Sequence, residues 1–279
     1  MRQFPVEDLI EPIKRMCIQA AKVLPCDVRA KLEEARANED APASAAALDD
    51  IITNYKLAEE SQMPMCQDTG MTLVFIEQGE EVFFEGNLEE AVNEGVRQGY
   101  TEGYLRKSIV GDPIRRVNTG DNTPAMLYLE RVPGDKVSVT IAPKGFGSEN
   151  MSRLKMLKPA DGLEGVKNFI LETVKLAGPN PCPPIIVGVG IGGNFDKCAL
   201  AAKKSLLRPT GEHNPDPFYA ELEKEMLTKI NETGIGAQGY GGRSTALACH
   251  INALPTHIAG LPVAVNIQCH AARHVTEVL

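Results

Sequence analysis

Helix-like and strand-like segments alternate along this chain, and this order restricts its fold more than any other feature of the sequence. The segment 7–24 repeats apolar residues at near-helical spacing and 87–104 has an amphipathic pattern, whereas the strand segments are short runs rich in β-formers or apolar residues. Helices are predicted over 7–24, 27–37, 44–60, 87–104, 162–177, 196–207 and 218–230, and strands over 71–76, 126–132, 136–141, 185–191 and 263–267. The fold class predicted from this pattern is mixed α/β (α+β), with mixed sheets flanked by helices.

Local signals add detail to this prediction. Asn87 and Ser44 are the predicted N-caps of the helices that they open. A Pro-Gly-Asp turn separates the strands predicted over 126–132 and 136–141, which indicates a hairpin. Because no internal repeat, low-complexity tract or flexible linker divides the sequence, one domain over residues 1–279 is predicted.

The composition narrows the class of protein. Hydrophobic residues make up 43% and charged residues 24% of the 279 residues, which is typical of folded globular proteins. The net charge of -8 argues against a nucleic-acid surface, because phosphate binding needs clustered Lys and Arg. With no apolar run of about 18 residues and no signal-peptide pattern, we expect a cytoplasmic protein without a membrane partner.

Three of the seven cysteines lie in contexts that favour metal binding: Cys66 in Met-Cys-Gln-Asp-Thr-Gly, Cys182 in Asn-Pro-Cys-Pro-Pro and Cys269 in Ile-Gln-Cys-His-Ala. Each is predicted in a loop or at a strand end, where thiolates can converge on a soft metal. The alternative for any single cysteine is a small buried apolar residue. That interpretation is preferred for the remaining cysteines, which are Cys17, Cys26, Cys198 and Cys249.

The spacing of the cysteines argues against disulfides and zinc fingers and leaves reduced thiols available as metal ligands. No CxxC pair is present, so neither a disulfide scaffold nor a zinc finger built with His270 and His274 is favoured. An iron-sulfur cluster usually has four thiolate ligands, so three would leave one iron open. An open iron can act as a Lewis acid on a hydroxyl group and an adjacent carboxylate. A noncatalytic redox sensor is the alternative use of the same thiolates.

A glycine-rich segment after the strand predicted over 185–191 matches the GxGxxG pattern of dinucleotide sites through Gly188, Gly190 and Gly193. The acidic residue expected about 20 positions later would be Glu212, but Glu212 lies in a polar stretch without a second strand. We therefore interpret these glycines as close packing or as a carboxylate-binding helix start.

Polar motifs elsewhere suggest a site for a carboxylic acid. The segments 144–150 and 234–242 are rich in glycine, which lets backbone N–H groups approach anionic oxygens. Arg106 offers the forked donors that suit a carboxylate, and His257 has a side chain suited to proton transfer. The alternative is that the two glycine-rich segments are ordinary surface loops, that Arg106 is a surface charge and that His257 is a partly exposed loop residue.

Together these motifs resemble the N-terminal, cluster-binding half of the class I, oxygen-sensitive fumarate hydratases and the related tartrate dehydratase α subunits. The resemblance extends over nearly the whole chain. Its marks are Cys66-Gln-Asp-Thr-Gly, Leu105-Arg106, Asn118-Thr-Gly-Asp-Asn-Thr-Pro, Lys144-Gly-Phe-Gly-Ser-Glu-Asn, Pro181-Cys182-Pro-Pro, Gly192-Gly193, Gly236-Ala-Gln, and Leu254-Pro-Thr-His257 leading to Cys269.

The resemblance implies a cofactor and a set of site residues. A [4Fe-4S] cluster would be held by Cys66, Cys182 and Cys269, with one iron that lacks a protein ligand and takes the substrate. The substrate, a small dicarboxylate, would contact Gln67, Asp68, Arg106 and Gly147. The resemblance further implies that Asp68 takes part in proton transfer, while His257 lines the pocket and is a second candidate for this role. Malate and fumarate are the expected pair, with L-tartrate as the alternative.

The resemblance also implies a partner. In fused members a second domain follows the third cysteine, whereas only ten residues follow Cys269 here. This resembles split members, in which a separate β subunit completes the active site, so an αβ or (αβ)2 assembly is expected. Two departures from the family pattern are Lys107 after Arg106 and Phe146 in place of a glycine.

Overall fold

The structure is a computed structural model that describes residues 2–279, and it divides the chain into two compact units. Unit 1 comprises residues 2–25, 54–146 and 273–279, and unit 2 comprises residues 26–53 and 147–272. Each unit has its own hydrophobic core and combines helices with a mixed sheet, which confirms the predicted fold class. The prediction of one domain over 1–279 stays a prediction, and Met1 lies outside the described residues.

The helices, apart from short 3-10 turns, are α1 (Ile10–Lys22), α2 (Cys26–Asn38), α3 (Pro42–Ser61), α4 (Leu88–Glu102), α5 (Phe146–Glu149), α6 (Gly162–Ala177), α7 (Phe195–Ser205) and α8 (Pro217–Asn231). The strands are β1 (Arg2–Pro5), β2 (Met71–Gly79), β3 (Val82–Glu85), β4 (Met126–Val132), β5 (Val137–Lys144), β6 (Arg153–Leu157), β7 (Ile185–Gly193), β8 (Ala246–Thr256), β9 (Leu261–Gln268) and β10 (Val275–Val278). Within residues 2–279, no helix combines the length and the apolarity needed to cross a membrane.

The four-stranded sheet of unit 1 has the order β10-β5-β2-β4. Strand β2 pairs parallel with β4 on one side and antiparallel with β5 on the other. The predicted hairpin is therefore wrong, because β2 separates β4 from β5. The physical reason is burial: residues 72–76 of β2 are all buried, whereas β4 has exposed residues that suit a sheet edge.

One predicted helix cap is confirmed and one is wrong. The Asn87 side chain accepts a hydrogen bond from the Glu90 backbone N–H at 3.3 Å, as an N-cap does. Ser44 lies inside α3, which begins at Pro42, because proline suits the first turn of a helix. The buried Ser44 hydroxyl instead donates to the Glu39 carboxylate at 3.1 Å and accepts from the Ala237 backbone N–H at 3.0 Å.

The sheet of unit 2 has the order β6-β9-β7-β8. The buried strand β7 pairs antiparallel with β9 and parallel with β8. Strand β8 was not predicted from the sequence. The core of this unit joins the sheet to α6 and α8 through Ile170, Val187 and Met226. Because β7 and β9 run in opposite directions, the start of β7 lies beside the end of β9.

The glycines of the GxGxxG segment allow α7 to lie directly on β7. A Cβ at Gly188 would be 2.4 Å from the Ala202 carbonyl oxygen, and a Cβ at Gly190 would be 2.1 Å from the Cys198 carbonyl oxygen. Both distances are shorter than any tolerated contact, so only glycine allows this approach of helix and strand. The close-packing interpretation is thereby confirmed.

Replacing Gly190 by alanine should lower the free energy of unfolding by about 1–3 kcal/mol, because the added methyl group overpacks the contact with α7. Gly260→Ala is the matched control, since its added Cβ would meet the nearest atom at 3.7 Å. Urea unfolding followed by circular dichroism measures both variants. Equal midpoints for Gly190→Ala and the parent chain would contradict the packing role.

Candidate active site

The loop between α3 and β2 carries three of the predicted site residues in unit 1. Cys66 and Gln67 are exposed, and Asp68 is half-buried. The Asp68 backbone N–H donates to the Cys66 sulfur at 3.4 Å, and Asn54 Nδ2 donates to the Met65 carbonyl at 2.8 Å. The loop therefore presents the thiol to solvent while hydrogen bonds hold its backbone.

The Asp68 carboxylate is oriented by two backbone donors. Its Oδ1 accepts from the Gly70 N–H and its Oδ2 accepts from the Phe146 N–H, each at 2.9 Å. A Cβ at Gly145 would lie 3.1 Å from Oδ2, so a glycine there lets the segment approach the carboxylate. Because a carboxylate offers about four acceptor positions, Asp68 keeps capacity for a substrate proton.

Arg106 lies next to this loop in unit 1. The Thr69 hydroxyl donates to the Arg106 carbonyl at 2.9 Å, while the Arg106 side chain is exposed. Asn122, which is fully buried, accepts from the Ser108 N–H at 2.7 Å and donates to the Gly70 carbonyl at 3.2 Å. Unit 1 thus places Arg106 next to the Cys66–Asp68 loop. Asn122, from the Asn-Thr-Gly-Asp-Asn-Thr-Pro motif, links the two segments by hydrogen bonds to Ser108 and Gly70.

Arg273 is a residue of this region that the sequence analysis missed. Its side chain is buried, and its Nη2 donates to the Asp68 carbonyl. Its Nε and Nη1 have no hydrogen-bond partner among residues 2–279. The only sequence signal was a charged residue placed directly after Ala271 and Ala272, which are also buried.

Unit 2 brings Cys182 and Cys269 into neighbouring segments. Cys182 is exposed, has a left-handed φ of 55° and precedes β7, whereas Cys269 directly follows β9 and is half-buried. The pairing of Ile186 with Gln268 sets these two strand ends side by side. The His270 ring donates from Nδ1 to the Cys182 carbonyl at 3.0 Å, which links the two cysteine segments directly.

Gly147 belongs to the same part of unit 2. A Cβ at this exposed glycine would lie 3.6 Å from the carbonyl oxygen of Asn180, which is two residues before Cys182. The neighbouring Ser148 hydroxyl donates to Gln268 Oε1 at 3.3 Å. Gly147, Cys182 and Cys269 therefore lie around one end of the unit 2 sheet.

His257 lies at the other end of that sheet. It follows β8, whose last residue, Thr256, is paired with Gly193 at the end of β7. The seven residue steps from Ile186 to Gly193 span roughly 23 Å at about 3.3 Å per residue. The exposed His257 ring accepts from the Ala259 N–H at 3.1 Å through Nδ1. Within one copy of unit 2, the structure does not bring His257 to the two cysteines.

Three of the four remaining cysteines are buried, unlike Cys66, Cys182 and Cys269. Cys17, Cys198 and Cys249 are buried, as predicted. The prediction is wrong for Cys26, which is exposed because it is the first residue of α2 and lies outside the core. Burial raises the pKa of Cys17 to about 12 and that of Cys198 to about 11, and it raises the pKa of Cys249 as well. A buried thiol with a raised pKa stays protonated, so these side chains are unsuited to metal ligation.

The thiol of Cys66 in unit 1 and the thiols of Cys182 and Cys269 in unit 2 are each of the chemical type that ligates iron and sulfide. These thiols are exposed or half-exposed, and Arg273 adds a buried positive charge without a carboxylate partner in the described chain. Across residues 2–279, no group of three or more His, Cys, Asp or Glu side chains is placed to hold one metal ion. Ligands of a four-iron cluster each bind a different iron, so they need not converge on one point.

Comparisons with known proteins identify the family of this chain. The family model described as fumarate hydratase (Fumerase) matches residues 10–278. A protein of Methanocaldococcus jannaschii, provisionally named L(+)-tartrate dehydratase subunit alpha, is 46% identical over 265 residues, which is 93% of each chain. The L(+)-tartrate dehydratase subunit alpha of Escherichia coli strain UTI89 is 31% identical, and that of Shigella boydii is 30% identical. Each of these two alignments covers 99% of this chain and 92% of the relative.

Proposed function

We propose that this chain, which belongs to the fumarate hydratase (Fumerase) family, is the α subunit of an iron-sulfur hydro-lyase that interconverts malate and fumarate. The observation that carries the proposal is the family match over residues 10–278. The geometry of unit 1 supports it, because one short loop presents both a thiol and an oriented carboxylate beside an exposed arginine.

The proposed cofactor is a [4Fe-4S] cluster with Cys66, Cys182 and Cys269 as its ligands. When bound, a cluster with one iron that lacks a protein ligand supplies a Lewis acid that weakens the bond between carbon and the leaving hydroxyl group. Cys66 and Cys182 are exposed and Cys269 is partly exposed, which supports this assignment because an accessible thiol can lose its proton and form the thiolate that binds metal.

Side chains and backbone groups of this chain bind the substrate, orient it and assist proton transfer. The Arg106 guanidinium binds one substrate carboxylate through paired hydrogen bonds, and Gln67 and the Gly147 backbone orient the rest of the molecule. Dehydration removes a proton from the carbon next to the one that loses hydroxide, and Asp68 assists this transfer. His257 stays a predicted proton-transfer residue, although unit 2 places it away from Cys182 and Cys269.

We further propose a separate β subunit that completes the active site, in an αβ or (αβ)2 assembly. The names of the relatives support this, because each is called subunit alpha and each aligns over nearly its whole length. Co-purification of this chain with a second polypeptide tests the proposal. Full hydro-lyase activity of the chain by itself would contradict it.

Tartrate is the second candidate substrate, and a specific observation favours it: the relatives at 46% and 31% identity are named for L(+)-tartrate. Malate and tartrate differ by one hydroxyl group, so both fit a site with one Lewis acid and one carboxylate-binding arginine. The family description favours fumarate, and the proposal keeps malate and fumarate first.

A substrate comparison on the anaerobically prepared complex distinguishes the candidates. We expect the kcat/KM for malate and fumarate to exceed that for L-tartrate by at least about tenfold, since recognition of one hydroxyl group is worth roughly 1–3 kcal/mol. Fumarate absorbance and oxaloacetate formation report the two reactions. Preferential tartrate turnover would replace the malate assignment, and an iron-loaded complex that turns over neither acid would favour the noncatalytic redox sensor.

A further inference from the structure

Arg273 has a hydrogen-bonding environment that is incomplete for a buried charge. Its side chain is 3% exposed, and its Nη2 donates to the Asp68 carbonyl. Its Nε and Nη1 have no partner within residues 2–279. Because an isolated buried cation is strongly unfavourable, a guanidinium in this position requires an anion nearby.

Among the described residues of unit 1, no carboxylate forms an ion pair or a hydrogen bond with the Arg273 side chain. The Asp68 carboxylate accepts hydrogen bonds from the Gly70 and Phe146 backbones rather than from Arg273. Tyr100 is fully buried and its hydroxyl donates to the Thr69 carbonyl at 2.7 Å, while burial raises its pKa and keeps it neutral. A buried water would satisfy an N–H group but would leave the charge unbalanced.

We propose that Arg273 is a positioning residue that supplies the counter-charge for the anionic iron-sulfur cluster bound at Cys66, an inference that rests on the proposed function. The Asp68 backbone connects the two: its N–H donates to the Cys66 sulfur at 3.4 Å, and its carbonyl accepts from Arg273. Arg273 thus holds the ligand loop in place and carries a positive charge beside it. The cluster and its thiolates together carry a net negative charge, which balances the positive charge of the guanidinium.

If Arg273 balances the charge of the cluster, Arg273→Met should affect the cluster-free protein and the cluster-bound protein differently. Without the cluster, Arg273 is an unbalanced buried charge, so Arg273→Met should leave the stability unchanged or higher. With the cluster, the same variant should lose iron faster, because the charge that stabilises the anion is gone. A residue with a merely structural role would destabilise both forms.

The test uses the full chain, both cluster-free and reconstituted without air with iron and sulfide. Arg273→Met removes the charge and Arg273→Lys keeps it. Arg131→Met is the matched control, because exposed Arg131 also donates from Nη2 to a backbone carbonyl, that of Glu80, at 2.9 Å. Thermal unfolding, iron release to a chelator and the cluster reduction potential, followed by electron paramagnetic resonance, are measured for each variant.

For Arg273→Met we expect a cluster-free melting temperature at or above that of the parent, iron release at least about tenfold faster and a more negative potential. Arg273→Lys should restore much of the difference, and Arg131→Met should behave as the parent. A lower cluster-free melting temperature together with parent-like iron release would overturn the inference. If Arg273→Met differs from the parent only after malate or tartrate is added, Arg273 balances the charge of the substrate rather than that of the cluster. This result would also overturn the inference.

Iron and sulfide uptake by the parent chain separates a failure of cluster binding from a failure of the Arg273 role. If the parent chain takes up no iron and sulfide, the proposed function fails and the role of Arg273 fails with it. If the parent takes up a normal cluster and Arg273→Met matches it in iron release and potential, only the role of Arg273 is rejected.

Discussion

Cys182→Ser is expected to abolish stable cluster binding and to lower the turnover of the anaerobically prepared complex by more than about a hundredfold. Loss of an outer-shell partner of a metal site commonly costs 10–100-fold, and loss of a ligand should exceed that. Serine keeps the size of the side chain and tolerates the exposed position of Cys182, so the fold should persist. Iron and sulfide content, the electron paramagnetic resonance spectrum and the rate of fumarate hydration measure the effect.

The control for this experiment is Cys26→Ser. Cys26 is also exposed, but it lies at the start of α2, outside the motifs that carry the resemblance. Cys26→Ser should bind iron and turn over substrate as the parent does. A Cys182→Ser complex that keeps its full iron and sulfide content and its full turnover would remove Cys182 from the ligand set.

Asp68→Asn is expected to lower kcat by about 10²–10⁴-fold, the usual contribution of a positioned acid or base, with a much smaller change in KM. Asparagine matches the aspartate in size and can still accept from one of the two backbone donors, Gly70 or Phe146. It cannot take up a proton at the pH of the reaction. Steady-state kinetics on complexes with equal iron content measure the change.

Asp216→Asn is the matched control for the Asp68 variant. The Asp216 carboxylate also accepts from a backbone N–H, that of Phe218 at 2.9 Å, at the N-cap of α8. Since asparagine caps helices as well as aspartate does, stability and turnover should not change. An Asp68→Asn complex with parent kcat, or one whose turnover falls only in proportion to its iron content, would argue against a role in proton transfer.

Much of the local structure was predictable because local interactions decide it. The apolar periodicity of residues 7–24 located α1, the helix predicted over 162–177 matches α6, and Asn87 caps α4 as predicted. The preference for buried Cys17, Cys198 and Cys249 was confirmed in the same way. Such features depend on the residue types within one or two turns of the chain.

Strand neighbours were less predictable. The Pro-Gly-Asp turn indicated a β4-β5 hairpin, but β2, more than 45 residues earlier in the chain, lies between them. Strand β8 was missed because its second half is exposed and contains Leu254 and Pro255, a poor strand pattern by itself. Its parallel pairing with β7 supplies the hydrogen bonds that the local pattern does not indicate.

The sequence by itself determined the family and the three candidate thiols, because motifs such as Cys66-Gln-Asp-Thr-Gly record the chemistry of single loops. Only the tertiary structure decided that Arg273 lies against Asp68, 205 residues away in the chain, and that His257 and Cys182 lie at opposite ends of one sheet. The physical reason is that burial and strand direction arise from the packing of distant segments, and no short stretch of residues specifies either.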